Sequence, residues 1–407
     1  MNKVLQITAM VNIGSVGRIA ESIGRLSIND GWKSYIAYGR GAGKSRSELI
    51  KIGSNTDKYI HGMLTRFYDR HGAGSYFATK RLIRKIDEIK PDIIHLHNLH
   101  GYYINLKVLF DYLGSACIPV VWTLHDCWTV TGHCVHFENI NCIKWMDGCY
   151  DCPGTKGYPA SWLVDNSKVN FQIKKELFNS VENLTLVPVC NWLSNIISKS
   201  HLSGKSKRII YNGIDTEVFK PRELNAGFAE KLLPLKEKFI ILAVASAWND
   251  TKGINDILSL AQILNDGYHI VVVGLSRKQI RRLPPNITGI ERVDNVIQLA
   301  GIYSFADVFI NPTYQDTLPT VTIESIACGT PVVIYNTGGS ADIVSDKTGT
   351  IVETGNIDAF KKAVEEICRC GKSRYRNDCR EYAVRMFNED NNFTSYINLY
   401  HSLIDNR

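Results

Sequence analysis

Short runs of β-branched and aromatic residues alternate with longer stretches of helical periodicity along most of the chain. Runs at 4–8, 34–38, 93–97, 120–124, 184–189 and 208–211 read as strands in the first half. Runs at 239–245, 269–273, 287–290, 308–311, 331–335 and 349–352 do so in the second. Between them lie segments such as 18–29, after a glycine loop, and 357–368, where Ile357, Phe360, Val364 and Ile367 recur at helical spacing. Strand and helix in regular alternation predict parallel sheets with crossover helices, an α/β fold.

The alternation breaks at 212–238, where NGIDTEVFKP precedes a charged stretch. We therefore expect an amino-terminal domain at 1–212, a second domain at 213–386, and a closing helix at 387–407. In that last segment Phe393, Ile397, Tyr400 and Ile404 share one helix face, which calls for packing on a domain surface. Two Rossmann-like sheets facing each other would leave a cleft at their carboxyl edges, where open α/β sheets bind ligands.

Composition narrows the classes. A chain of 407 residues exceeds one ordinary core, and 44% hydrophobic with 21% charged residues suits a globular enzyme. No apolar run approaches the roughly 20 residues that span a bilayer. The start, MNKVLQITAM, reads as a first strand rather than a signal peptide, so a cytoplasmic protein is expected.

The net charge of +7 is spread in clusters: Lys80, Arg81, Arg84 and Lys85; Lys199, Lys205, Lys207 and Arg208; Arg277, Lys278, Arg281 and Arg282. Such clusters suit phosphate groups or peripheral contact with an anionic membrane, or are simply solvated helix faces. No nucleic-acid-binding module is present, so no nucleic-acid partner is expected.

The segment 308–333 reads VFINPTYQDTLPTVTIESIACGTPVV: strand, small polar turn, helix, then a glycine-proline entry to another strand. A turn feeding a helix amino terminus presents unpaired N–H groups suited to a diphosphate. Asp316 and Glu324 flank that turn and can accept hydrogen bonds from sugar hydroxyls. Their bland alternative is a solvent-facing turn and helix.

This segment resembles the donor motif of family-4 retaining glycosyltransferases of GT-B fold. Asp316 stands where Glu is usual, and Leu318-Pro319-Thr320 where Phe-Gly-Leu is usual. The resemblance implies that Glu324 binds the nucleotide ribose, Asp316 the transferred sugar, and the Leu318-Pro319-Thr320 turn, through amides near Thr320, the diphosphate. Asp250-Thr251-Lys252-Gly253 is similar to the family's Lys-Gly site, making Lys252 the leaving-group cation. The Arg usual about six positions earlier is replaced by Ser246 and Ala247, with Arg18 and Arg292 as candidate substitutes. Asn212-Gly213-Ile214-Asp215 and Thr337-Gly338-Gly339 resemble the domain join and the loop after the donor helix.

In the amino-terminal half, Gly14 and Gly17 resemble the donor-side glycine loop, and His125, in Thr123-Leu124-His125-Asp126, a histidine facing the sugar. Gly14 and Gly17 lack the three-glycine pattern of a dinucleotide fold, and His125 could be an ordinary strand-end histidine. His95, His97 and His100 alternate, so only some can share a face. The whole chain is similar to bacterial surface-polysaccharide and exopolysaccharide glycosyltransferases, of colanic acid type.

The resemblance implies a hexosyltransferase acting with retention on a UDP- or GDP-linked sugar, with a saccharide or lipid-linked saccharide acceptor and no catalytic cofactor. A nucleotide-sugar epimerase or hydrolase on the same architecture is the alternative. Eleven cysteines include a loop at 127–158 in which Cys134, Cys142, Cys149 and Cys152 read C-x7-C-x6-C-x2-C. That pattern is compatible with a structural zinc site or with reduced thiols.

Overall fold

The computed structural model describes residues 1–405. Two compact units emerge: Met1–Asn212 with Asp390–Arg407, and Gly213–Glu389. The first unit contains β1 (Lys3–Val11), α1 (Gly14–Asn29), β2 (Lys33–Ala42), β3 (Glu48–Lys51), α2 (Asn55–Tyr68), α3 (Tyr76–Ile89), β4 (Ile93–Leu96), α4 (Leu106–Ser115), β5 (Val120–Leu124), α5 (Ser167–Asn179), β6 (Leu184–Pro188), α6 (Asn191–Ser198) and β7 (Ser206–Lys207). Its seven strands are ordered β3-β2-β1-β4-β5-β6-β7, every pairing parallel.

The second unit contains α7 (Ala226–Leu232), β8 (Phe239–Val244), α8 (Ile254–Ile263), β9 (Tyr268–Val273), α9 (Arg277–Ile280), β10 (Ile287–Ile290), α10 (Val296–Phe305), β11 (Val308–Asn311), α11 (Thr320–Ala327), β12 (Val332–Tyr335), β13 (Gly349–Val352), α12 (Ile357–Cys370) and α13 (Ser373–Phe387). Its six strands run β10-β9-β8-β11-β12-β13, again all parallel. The last helix, α14 (Glu389–Asp405), joins the first unit. Its Phe393, Tyr396, Ile397 and Tyr400 pack in one core with Val4, Ile23, Trp32, Ile93 and Val121.

Strand order decides where ligands can bind. Neighbouring strands whose connections leave in opposite directions open a crevice at their carboxyl ends. In the first unit this reversal falls between β1 and β4, in the second between β8 and β11. β8 and β11 are apolar and buried along almost their whole length, as a parallel sheet covered by helices requires.

One strand expectation needs correction, and one edge strand was missed. The run at 208–211 is not a strand; β7 is Ser206–Lys207, and beyond it only Arg208 N–H to Leu186 C=O (3.0 Å) and Ile210 N–H to Pro188 C=O (3.3 Å) continue the pairing. The strand β3, ELIK, lies at the sheet edge with three exposed residues and carries no alternating apolar signal.

Candidate functional site

In the second unit the reversal between β8 and β11 sets two loops side by side. After β8, the Asn249 side chain accepts a hydrogen bond from the Lys252 amide at 3.0 Å, capping a short 3-10 turn over Asp250–Lys252. Gly253 ends the turn at φ +75, and a Cβ there would stand 2.0 Å from the Pro312 carbonyl oxygen. Only glycine admits that approach. After β11, Tyr314 N–H donates to Thr251 C=O at 2.9 Å and the Thr313 hydroxyl donates to the same oxygen at 3.2 Å. The two loops are thus tied backbone to backbone.

The result is a contact between side chains 64 positions apart: Lys252 Nζ donates to Asp316 Oδ2 at 2.7 Å. The side chains are 35% and 24% exposed, so the pair sits at the mouth of the crevice, open to a ligand. Thr317 C=O accepts from Gly339 N–H at 3.0 Å, drawing in the 338–339 loop. Leu318 and Pro319 are buried and anchor the turn, while Thr320 opens α11. The helix cap position is Pro319, which offers no side-chain acceptor, so the first amides of α11 face outward without a protein cap. Beside a lysine ammonium, such amides suit an anionic group.

Glu324 lies one turn along α11 and is 8% exposed. Its Oε2 accepts from the hydroxyl of fully buried Tyr303, on α10, at 3.0 Å. Tyr303 has no sequence signature, because a buried tyrosine in an apolar helix looks like core. The carboxylate of Glu324 pushes the Tyr303 phenol further up than burial already does. Asp256, on α8, is a second carboxylate absent from the sequence reading; it accepts from Tyr314 and Tyr335 hydroxyls, each at 3.2 Å. Arg292, a candidate substitute for the absent arginine, is instead 80% exposed and paired with Asp294 at 2.5 Å.

The first unit holds the remaining candidates. Gly14 starts α1 at φ +68, and Gly17 lies where a Cβ would meet the Met10 carbonyl at 3.1 Å. Arg18 is exposed on the first turn of α1.

His125 follows β5 and stands at the end of a directional chain. Gln6 Nε2 donates to Ala20 C=O at 2.9 Å, which leaves Gln6 Oε1 to accept from His97 Nε2 at 2.9 Å. His97 Nδ1 must then accept from His125 Nε2, 3.2 Å away. The network therefore assigns the His125 proton to Nε2 and leaves its Nδ1 as an acceptor. Burial, then the neighbouring His100, lowers the His125 pKa to about 4 despite the opposing pull of Asp126. It is a neutral acceptor near pH 7, not a cation.

His95 is buried among Tyr400 (2.6 Å), Thr123 (2.7 Å) and the ring of Tyr396, and serves the core. His100 differs: its Nε2 meets Asp126 Oδ2 at 2.7 Å and its Nδ1 the exposed Tyr158 hydroxyl at 3.3 Å. Burial raises the Asp126 pKa, but His100 and the Trp128 amide bring it down to about 2, so it stays a carboxylate.

In the cysteine loop, Cys134 and Cys152 hydrogen-bond to each other, and Cys149 Sγ accepts from Gly132 N–H at 3.1 Å. Among the described residues no group of three or more His, Cys, Asp or Glu side chains is gathered to hold a metal ion. Cys134 and Cys149 each feel the charge of Cys152, and Cys149 also that of Cys142, so the four thiols share one neighbourhood.

Comparison with known proteins agrees with this fold. Residues 16–218 match the family model described as Glycosyltransferase Family 4, and residues 228–386 match Glycosyl transferases group 1. The chain is a glycosyltransferase.

It is 21% identical over 420 residues to the putative colanic acid biosynthesis glycosyl transferase WcaC of Escherichia coli K12, covering 98% of this chain and all of that one. It is 26% identical to the sulfoquinovosyl transferase SQD2 of Arabidopsis thaliana over 298 residues, 70% of this glycosyltransferase and 51% of the plant protein. Among solved structures, sucrose-phosphate synthase from Thermosynechococcus elongatus superposes with a TM-score of 0.73 at 17% identity over the whole of both chains. Anabaena HepE in complex with UDP and glucose gives 0.67 at 14% identity, covering 99% of this chain and 100% of that one. At these identities the structures speak for the fold alone, two parallel-sheet α/β domains of GT-B type. No helix among the described residues of this glycosyltransferase is long and apolar enough to cross a membrane.

Proposed function

We propose that this glycosyltransferase moves a hexosyl group from a UDP- or GDP-linked sugar to an acceptor hydroxyl, with retention of configuration, in surface-polysaccharide assembly. The observation that carries the donor half is the Lys252–Asp316 contact of 2.7 Å at the β8/β11 reversal, beside the uncapped start of α11. A diphosphate needs a cation and preorganised N–H donors; a sugar needs carboxylate acceptors. Both sets converge here. In this reading Lys252 and the Thr320 and Val321 amides stabilise charge growing on the leaving diphosphate, an effect that acts in the transition state. Asp316 exchanges part of its ion pair for sugar hydroxyls, Glu324 takes the ribose, and His125 contributes the acceptor atom Nδ1.

HepE was crystallised with UDP and with UDP-glucose, which supports UDP as the nucleotide. Retention and the polysaccharide role rest on the motif likeness and on the similarity to WcaC. The test is a panel of nucleotide sugars scored by thermal stabilisation, with UDP and GDP alone as controls, followed by transfer assays on the stabilising donor. Stabilisation by one nucleotide class and acceptor-dependent turnover are expected. Sugar release at the same rate without any acceptor would instead mark a hydrolase and refute transfer.

A further inference from the structure

A cavity of about 880 Å³ is lined wholly by residues of the first unit, between α3, α4 and α5. Its size lies within the range of small-molecule sites. The walls are apolar: Ile83 from α3, Val108 from α4, and Ile173 and Leu177 from α5 all face it and are only half-buried. Leaving four aliphatic side chains part-wet in one groove is unfavourable, so the groove is suited to an apolar occupant.

Its rim is basic. Arg70, Lys80, Arg84 and Lys107 line it against two acids, Asp111 and Glu176. Lys107 pairs with Asp111 at 2.8 Å, and Glu176 accepts from the Gln172 side chain at 2.7 Å. Arg70 and Arg84 make no ion pair among the described residues. At the end nearest the carboxyl edge of the sheet, His71 also lines the cavity and is 6% exposed. Its Nε2 accepts from Gly101 N–H at 3.4 Å, so the proton sits on Nδ1, and that buried donor has no partner.

Beside the opening, the first turn of α3 exposes Tyr76 (44%) and Phe77 (71%) next to Lys80, Arg81 and Arg84. Aromatic rings with basic residues on one helix surface are the pattern of a bilayer interface. An occupant that is apolar along its length and anionic at one end satisfies the walls and the rim together.

We propose that this groove holds the apolar chain of a lipid phosphate, its phosphate lying against Arg70 at the basic rim. The α3 surface brings the protein to an anionic bilayer, and the groove selects the lipid. The inference deepens the acceptor half of the proposed function, and rests on that reading for the role of the lipid but not for its binding.

Farnesyl monophosphate, below its micelle concentration, is the probe, with farnesol and inorganic phosphate as the two comparison arms, by calorimetry on the full chain. Saturable one-to-one binding of farnesyl phosphate is expected, at least tenfold tighter than farnesol, with no heat from inorganic phosphate at the same concentration. Ile173→Trp, which fills the groove, and Arg70→Glu, at an exposed position, should each weaken farnesyl phosphate binding tenfold or more. Equal binding of inorganic phosphate, wild-type binding by both variants, or no binding by the wild type overturns the proposal. UDP stabilisation in the same samples reports on the second unit. Its loss with farnesyl phosphate binding intact would sink the donor reading and leave the groove standing, and the reverse result would do the opposite.

Discussion

Replacing Glu324 by Gln and by Ala separates what this carboxylate does for the fold from what it does for the nucleotide. The side chain is 8% exposed and accepts from Tyr303, which is fully buried. In Glu324→Ala the tyrosine hydroxyl loses that acceptor, which costs about 1–3 kcal/mol of stability in the second unit. In Glu324→Gln the amide oxygen can still accept from Tyr303, so the loss stays below about 1 kcal/mol. A hydrogen bond from ribose to an ionised acceptor is worth about 1.5–3 kcal/mol, and to a neutral one about half as much. At 1.4 kcal/mol per tenfold, UDP binding should weaken by about 10- to 150-fold in Glu324→Ala and by about 3- to 10-fold in Glu324→Gln. Calorimetric titration of UDP, with urea midpoints of the same samples, reads both quantities. If Glu324→Ala binds UDP with the wild-type Kd while losing stability, the carboxylate belongs to the core alone and the ribose assignment is wrong.

Three further outcomes follow from the geometry. Lys252→Met should lower kcat by about 10²–10³, the usual effect of removing one preorganised donor, while the exposed pair with Asp316 limits its stability cost to about 1 kcal/mol or less; wild-type kcat would remove Lys252 from the site. Gly253→Ala should destabilise the second unit by more than about 2 kcal/mol in urea unfolding, since a left-handed φ is combined with a Cβ 2.0 Å from the Pro312 oxygen; a neutral result would mean that the loop can relax. Acid should weaken the first unit: burial holds the His61 pKa at about 4 and the His95 pKa at about 3, so below about pH 6.5 the unfolded chain takes up protons that the folded one refuses. Stability should therefore fall from about pH 6.5 towards pH 4, by about 2 kcal/mol per histidine at pH 5, and His61→Asn should flatten that slope in urea midpoints taken between pH 7.5 and 5.

The parallel architecture was legible because buried strands such as 239–245 and 308–311 are short apolar runs between helices, a pattern that tolerates few other folds. The edge strand at 48–51 escaped, since ELIK has no buried face to pattern. Lys252 and Asp316 were readable separately from their motifs, whereas their contact depends on strand order, which no local pattern encodes. Tyr303 and the Gln6–His97 chain were illegible for a related reason. Their polar atoms matter only through partners far away in sequence, and each residue alone resembles ordinary interior.

Helix α14 has a bearing on how the chain comes off the ribosome. Its aromatic residues fill the core of a unit whose other part ends at Asn212, so 177 residues of the second unit are synthesised in between. The second unit is continuous and can close on its own as it emerges. The amino-terminal sheet, although made first, waits with Val4, Ile93 and Val121 only part-covered until the final helix is released. A nascent chain arrested before Glu389 should thus hold a finished carboxyl unit beside an amino-terminal unit that still binds chaperone, reversing the usual order of vectorial folding.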